Sequence, residues 1–324
     1  VMASFNEIDG VPATANKWLL TDVLRKQWGF KGFLVTDYTG INEMIDHGIG
    51  DLQTVSAKAL MAGIDMDMVG EGLLTTTKKS LAEGKTTLAQ IDAACRRILE
   101  AKYKLGLFDD PYKYCDDNRA KTEVFNAAHR KIARETAAQS FVLLKNSFGK
   151  SPSGGDLGGP LPIKKSGTIA LVGPLADNAE NMPGTWAVAA RFSEAITVLN
   201  GIKEVGGNNV KVLHARGSNL DADSLFEERA GMFGKSLRRD SRSADAMIQE
   251  AVDIANQSDV VVVAAGESAE MSGESSSRSN IEIPKVQQDL IKALLKTGKP
   301  VVLVLFTGRP LALKWENENV PAIL

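Results

Sequence analysis

Short apolar runs that alternate with helical patterns constrain the fold of this chain more than any other feature. Residues 260–265 and 301–306 contain only apolar side chains, and a helical pattern over 285–295 lies between them. Strands without polar alternation are typical of parallel sheets that helices cover on both faces. The succession of strand and helix therefore predicts an α/β fold with a mainly parallel sheet.

The same pattern recurs along most of the chain. Strands are predicted at residues 1–4, 33–36, 64–66, 168–173, 210–213, 260–265 and 301–306. Helices are predicted at residues 19–28, 52–61, 88–105, 124–144, 244–256 and 285–295. Thr87 is a candidate N-cap and Gly106 a candidate terminator of the helix between them. A Gly/Pro/Ser-rich loop at 151–160 separates the N-terminal strand–helix units from a second α/β region.

Composition and charge exclude several classes of function. Among 324 residues, 38 Lys and Arg balance 40 Asp and Glu, which gives a net charge of -2. This balance offers no electrostatic footprint for nucleic acid or an anionic membrane, and the apolar runs are far shorter than a membrane span. Two cysteines and three histidines cannot build a zinc cluster. One disulfide between Cys95 and Cys115 is compatible with the sequence. We therefore predict no metal, no cofactor, no nucleic-acid partner and no membrane partner.

Asp37 is the first candidate for chemistry, because it directly follows the predicted strand 33–36. The carboxyl ends of parallel strands carry the functional loops of α/β folds. This carboxylate, with Tyr38 beside it, could serve as a nucleophile, a metal ligand or a hydrogen-bond acceptor for a substrate. The alternative is that Asp37 only caps the helix that follows. Asp65 and Asp67 leave a similar choice between lining a pocket and capping the next turn.

A polar loop follows the predicted strand 260–265. It holds three glutamates, Glu267, Glu270 and Glu274, together with Arg278 and several hydroxyl side chains. One glutamate could act as a general acid if a partner domain screened it from water and raised its pKa. The alternative is a solvated, flexible loop without a catalytic role.

Ordered motifs along nearly the whole chain resemble glycoside hydrolase family 3, in particular its periplasmic β-glucosidase-like branch. The motifs are VMASFN at 1–6, N-x-x-D-G-x-P-x-x-x-N at 6–16, WGFKGF-x-VTDY at 28–38, AG-x-D-x-x-M at 62–68, RRIL at 96–99, KLGLF at 104–108, VLLKN at 142–146, LP at 161–162, VGPLAD at 172–177, GE at 273–274 and IP at 283–284. The family commonly shows Tyr where Phe5 stands, and often Trp where Tyr38 stands.

The resemblance implies a (β/α)8 barrel followed by an α/β sandwich, with the active site in the cleft between them. On that map the chain begins at about the sixth barrel strand and stops inside the sandwich. We expect the C-terminal part of the barrel at 1–115, a linker at 116–165 and an incomplete sandwich domain at 166–324. The remainder of the parent chain would complete the barrel, and this stretch alone is predicted to be inactive or poorly folded.

The resemblance also implies a set of site residues. Asp37 takes the nucleophile position, and Glu274 is the best match for the acid/base, although Glu267 or Glu270 are alternatives. Tyr38, Phe5, Met2 and Arg278 are expected to contact the substrate, and no metal is expected.

The implied activity is retaining, exo-acting hydrolysis of terminal non-reducing β-D-glucosyl residues from an oligosaccharide or β-glucoside, in the periplasm or outside the cell. The two carboxyl groups would then lie roughly 5–5.5 Å apart. A non-catalytic carbohydrate-binding relative, and a relative with β-xylosidase or N-acetylglucosaminidase activity, remain alternatives.

Overall fold

The computed structural model describes residues 1–187, 189–224, 239–273 and 276–324. The chain folds into two compact units, Val1–Ala127 and Ala128–Leu324. The expected domain boundaries, at 115/116 and 165/166, stay a prediction.

Two short parallel strands and one further bridge organise the first unit. Strand β1 (Met2–Ala3) pairs with β4 (Val35–Thr36), so that Met2 lies opposite Val35. Met66 adds a single parallel bridge to Val35 on the other side. The strands predicted at 1–4 and 33–36 are thus present in shortened form, whereas the strand predicted at 64–66 is reduced to the bridge at Met66. An antiparallel hairpin of β2 (Glu7–Ile8) and β3 (Val11–Pro12) follows β1.

The helices of the first unit connect these strands and follow them. A 3-10 turn at Ala13–Ala15 precedes a π-helix, Trp18–Gln27. The α-helices are α1 (Glu43–Asp46), α2 (Leu52–Ala62), α3 (Gly72–Ala82), α4 (Leu88–Lys104) and α5 (Arg119–Glu123). Helix α4 begins as predicted: the Thr87 hydroxyl accepts a hydrogen bond from Gln90 N, and the Gln90 side chain accepts one from Thr87 N.

The second unit is built on a six-stranded sheet. Its strands are β5 (Lys145–Asn146), β6 (Gly167–Val172), β7 (Val210–Ala215), β8 (Val260–Gly266), β9 (Val301–Phe306) and β10 (Ala322–Ile323). They lie in the order β5-β10-β9-β8-β6-β7. Every pairing is parallel except that of β5 with β10. This confirms the predicted α/β fold with a mainly parallel sheet.

Helices cover both faces of this sheet. Among the described residues they are α7 (Val198–Gly206), α8 (Ala244–Asn256), α9 (Lys285–Leu295) and α10 (Lys314–Asn319), whereas α6 (Ala127–Ser140) is exposed along its whole length. The described part of the unit also contains short 3-10 turns at Ala179–Asn181, Phe192–Glu194, Gly207–Asn209 and Ala269–Ser272. Alternate residues of one strand enter opposite cores: Val261 and Val263 pack with α8 and α9, whereas Val262 packs with α7.

Two further predicted segments differ from the structure by at least two residues at one end. The helix predicted over 124–144 is shorter, Ala127–Ser140, and strand β5 follows it at Lys145–Asn146, inside the segment expected to be a linker. The strand predicted over 210–213 extends to Ala215.

Cys95 and Cys115 are exposed and unbonded to each other. Across the described residues, no helix combines the length and apolar character needed to cross a membrane.

Candidate active site

In the first unit, the candidate site lies where β1, β4 and the Met66 bridge end. Because these segments run parallel, their carboxyl ends meet at one edge, and Phe5 and Asp37 follow two of them. The Asp37 side chain is half-buried, and its Oδ1 accepts a hydrogen bond from Tyr38 N at 2.7 Å. Its Oδ2 has no partner among the described residues of this unit. One carboxylate oxygen is thus held by the backbone and the other is available.

Asp37 does not cap the helix that follows it. Helix α1 begins at Glu43, and Asn42 occupies the N-cap position. The carboxylate instead bonds to the amide of the next residue, Tyr38. The capping alternative for Asp37 is therefore wrong, since a cap would bond to an amide of the first helical turn.

The loop after β4 is tied to the segment after Met66. The Thr36 hydroxyl accepts a hydrogen bond from Met68 N at 2.9 Å, and Thr39 N donates to Met68 O at 3.0 Å. Gly40 N donates back to Asp37 O at 3.0 Å. Thr39 has a φ of +56°, a left-handed conformation that these bonds hold in place. The backbone that carries Asp37 is thus fixed on both sides.

Three apolar side chains lie close to Asp37 in sequence or along the adjacent strand. Tyr38 is 60% exposed and Met2 is 53% exposed, while Phe5 is half-buried. Exposed aromatic faces beside a carboxylate suit the apolar faces of a sugar ring. Their predicted contact with substrate stays a prediction.

Asp65 and Asp67 have different roles. Asp65 is buried and accepts hydrogen bonds from Arg25 at 2.7 Å, Arg97 at 2.6 Å and Leu34 N at 2.8 Å. Asp65 is thus the centre of a buried ion cluster. It neither lines a pocket nor caps the next turn, so both alternatives raised from the sequence are wrong for Asp65. Asp67 Oδ2 accepts a hydrogen bond from Leu73 N at 3.2 Å, in the first turn of α3, which confirms the capping alternative.

In the second unit, the loops that follow β6, β8 and β9 pack together. Asn181 Oδ1 accepts a hydrogen bond from Ala269 N at 2.7 Å. Gly266 has a φ of +125°, and a Cβ there would lie 2.1 Å from Phe306 O. A Cβ on Gly308 would lie 2.1 Å from Ser272 Oγ. These close approaches fix the start of the polar loop against its neighbours.

The beginning of this polar loop is buried, in contrast to the solvated loop considered from sequence. Glu267, Ser268 and Glu270 are 3%, 1% and 7% exposed. Glu267 forms ion pairs with Arg278 Nη1 at 2.7 Å and with Arg309 Nε at 3.0 Å. Arg278, expected to contact substrate, also donates to Glu282 O at 3.1 Å. Glu274, the predicted acid/base, lies outside the described residues.

Gln287 is a further residue that sequence reasoning missed. Its side chain is fully buried in α9. Its amide accepts a hydrogen bond from Gly266 N at 2.8 Å and donates to Gly266 O at 2.9 Å and Leu220 O at 2.7 Å. Gln287 thus holds the carboxyl end of β8, where the polar loop begins. The only available signal was a polar residue on the buried face of a predicted helix.

Family comparisons assign both units. The model described as "Glycosyl hydrolase family 3 N terminal domain" matches residues 1–101, and "Glycosyl hydrolase family 3 C-terminal domain" matches residues 141–324. The chain belongs to glycosyl hydrolase family 3. Both the resemblance predicted from the motifs and the order of the two regions are confirmed.

Named relatives of this family 3 chain include glucosidases and xylosidases. A periplasmic β-glucosidase of Salmonella typhimurium is 44% identical over 100% of this chain and 42% of its own length. A β-xylosidase of Formosa agariphila is 34% identical, with the same coverage. The crystal structure of a β-glucosidase from Listeria innocua has a TM-score of 0.81 and 34% identity, and covers 100% of this chain and 40% of that one. The chain thus spans about two fifths of the length of these relatives.

Proposed function

We propose that the protein carrying this chain is a retaining exo-β-glycosidase, and that its substrates are β-glucosides or oligosaccharides with a terminal non-reducing β-D-glucosyl residue. One observation carries the proposal: in a family 3 chain, Asp37 stands at a strand end with one oxygen held by the backbone and the other without a partner among the described residues. The relatives named β-glucosidase support glucose as the sugar. The name of the Salmonella protein supports a periplasmic or exported location.

The reaction proceeds in two displacements. Asp37 Oδ2 attacks the anomeric carbon, the bond to the leaving oxygen breaks, and Glu274 gives that oxygen its proton. Glu274 then takes a proton from water, whose oxygen displaces Asp37 and releases the sugar. A retaining pair of this kind needs carboxyl groups about 5–5.5 Å apart.

Asp37, Phe5 and Tyr38 belong to the first unit, and Glu274 belongs to the second. The remaining barrel strands of the parent chain would supply further contacts to the terminal sugar. We therefore expect full activity only from the full-length protein. A misplacement of about 1 Å between the groups can cost on the order of a hundredfold in rate.

Xylosidase activity is the second candidate, because two β-xylosidases of Formosa agariphila are 34% and 30% identical to this chain. Xylose lacks the hydroxymethyl group of glucose. The ratio of kcat/KM for p-nitrophenyl β-D-glucoside and β-D-xyloside separates the two.

A mechanism-based label tests the proposal. The full-length protein is incubated with 2,4-dinitrophenyl 2-deoxy-2-fluoro-β-D-glucoside, and its peptides are analysed by mass spectrometry. We expect a covalent fluoroglucosyl adduct on the peptide that contains Asp37, and none in Asp37→Asn. Turnover of unlabelled glucoside with the adduct on another residue would refute the assignment of Asp37. Binding of glucosides without any turnover would support a carbohydrate-binding relative.

A further inference from the structure

An ion cluster lies at the base of the loop that carries Glu274. The Glu267 carboxylate is fully buried and pairs with two arginines, whose side chains are 19% and 22% exposed. Arg278 comes from the far end of the same loop, and Arg309 comes from the loop after β9. We name these three side chains the loop clamp.

The loop clamp closes the polar loop across its two ends. Glu267 precedes Glu274 by seven residues and Arg278 follows it by four, so their 2.7 Å contact joins the two sides of the catalytic candidate. Arg309 adds a hydrogen bond to Met271 O, within the loop. The position of both loop ends is thus tied to one buried carboxylate.

Bonds nearer to Glu274 continue the same arrangement. Ser276 N donates to Gly273 O at 3.1 Å, and the Ser276 hydroxyl donates to Glu270 O at 2.6 Å. Residues on both sides of positions 274 and 275 are therefore connected to each other. In the sequence, Glu274 directly follows Gly273 and precedes Ser276 by two residues.

Such a cluster is better suited to geometry than to stability. Burying charges has a large desolvation cost, which their attraction largely offsets, so a buried ion pair contributes little net stability. Arginine offers a planar fork that fixes direction as well as charge. A general acid, in contrast, must reach the leaving oxygen within hydrogen-bond distance.

We propose that Glu267, Arg278 and Arg309 are positioning residues that hold Glu274 for proton transfer to the leaving group. This inference rests on the proposed function, and it assigns Arg278 to the loop rather than to the sugar. The cluster acts through Glu274 and takes no part in the attack by Asp37.

Leaving-group dependence tests the inference. The 2,4-dinitrophenolate of a 2,4-dinitrophenyl glucoside leaves without being protonated. The methoxy oxygen of methyl β-D-glucoside, in contrast, must receive a proton as it leaves. In Glu267→Gln, we expect kcat/KM for the methyl glucoside to fall by about a hundredfold or more. The value for the dinitrophenyl glucoside should stay nearly unchanged. A role in folding alone would lower both values equally.

Arg278→Lys is the second variant, because it keeps the charge and loses the fork. We expect the same selective loss, and this variant decides the question if Glu267→Gln does not fold. Glu282→Gln is the matched control: its exposed side chain lies in the following segment and, among the described residues, accepts a hydrogen bond from Asn280 alone. Its two kcat/KM values should equal those of the wild type.

The outcomes separate this inference from the proposed function. If the wild type hydrolyses neither glucoside, the proposed function fails. If the wild type hydrolyses both and the variants lose both equally, or lose neither, the positioning role fails. A selective loss with the methyl glucoside supports it.

Discussion

Each unit contains a buried carboxylate that pairs with two arginines, but the two clusters hold different parts of the molecule. Asp65 binds Arg25 from the π-helix and Arg97 from α4, which lie 40 and 32 residues away in the chain. Glu267 binds Arg278, which lies 11 residues away in the same loop. The first cluster joins helices to a strand, and the second joins the ends of a loop.

The difference follows from how each catalytic candidate is carried. Asp37 is placed directly by the strand before it, so its support is the packing of strands and helices. Glu274 belongs by sequence to the polar loop after β8, and side-chain contacts hold the described residues on both sides of it. A buried carboxylate with two arginines therefore fixes helices against a strand in one unit and the ends of a loop in the other.

The largest effect on stability is expected for Asp65→Asn. Two largely buried guanidinium groups lose their carboxylate, and the loss of one partner of a buried ion pair costs about 3–5 kcal/mol. Urea unfolding of the full-length protein measures this change. Glu267→Gln should cost clearly less, because the loop can relax locally and expose its arginines. Equal losses in the two variants would break the comparison.

An exposed carboxylate of the same unit provides the control for Asp65. Asp22 pairs with Lys26 at 2.6 Å on the surface. Asp22→Asn should leave the unfolding midpoint nearly unchanged, because exposed ion pairs contribute little. A large shift in this control would mean that charge alone, without burial, governs stability here.

A smaller effect is expected for Gln287→Leu in α9. The substitution leaves the buried Gly266 N, Gly266 O and Leu220 O without the side chain that satisfies them. Each unsatisfied buried group costs about 1–3 kcal/mol, and partial relaxation should limit the total to about 2–3 kcal/mol. Urea unfolding checks this, with the exposed Gln249→Leu as control. An unchanged midpoint would contradict the role assigned to Gln287.

The smallest effect concerns the pH dependence of stability. Burial raises the pKa of Glu316 above its ordinary value of 4.5, although Gln288 donates a hydrogen bond to it at 3.3 Å. Because the folded state holds this proton more tightly than the unfolded state, the stability contribution is complete below about pH 4.5 and declines as the pH rises through the raised pKa. In Glu316→Gln this decline should disappear. The free energy of unfolding is measured from about pH 4 to pH 8 for the wild type and for Glu316→Gln. Identical slopes of this free energy against pH in the two proteins would refute the prediction.

Regular elements of the second unit followed from local sequence. Helices Ala244–Asn256 and Lys285–Leu295 and strand Val301–Phe306 have the predicted bounds. Their patterns are strong because each element buries one face or both. Strand β5 escaped prediction, because the two residues Lys145 and Asn146 carry no alternation, and the pairing is decided by β10.

The candidate site was predictable only in part. The position of Asp37 after an apolar run indicated a strand end, and the structure places it there. The partners of Asp65 could not be predicted, because neither arginine has a fixed spacing from it. The burial of Glu267 was hidden in the same way: a Gly/Ser-rich loop with three glutamates resembles a solvated segment until Arg309 from another loop is placed beside it.

The pairing of β5 with β10 also has a consequence for how the chain folds during synthesis. Asn146 lies opposite Ala322, and Leu144 N donates to Ile323 O at 2.9 Å. At about 5–20 residues per second, a ribosome needs roughly ten to thirty seconds to translate the intervening segment. During that time the first strand of the sheet to emerge has no partner, while β6, β7, β8 and β9 can already assemble. The sheet therefore closes at this edge last, and its earliest strand stays unpaired in the sheet until β10 has been made.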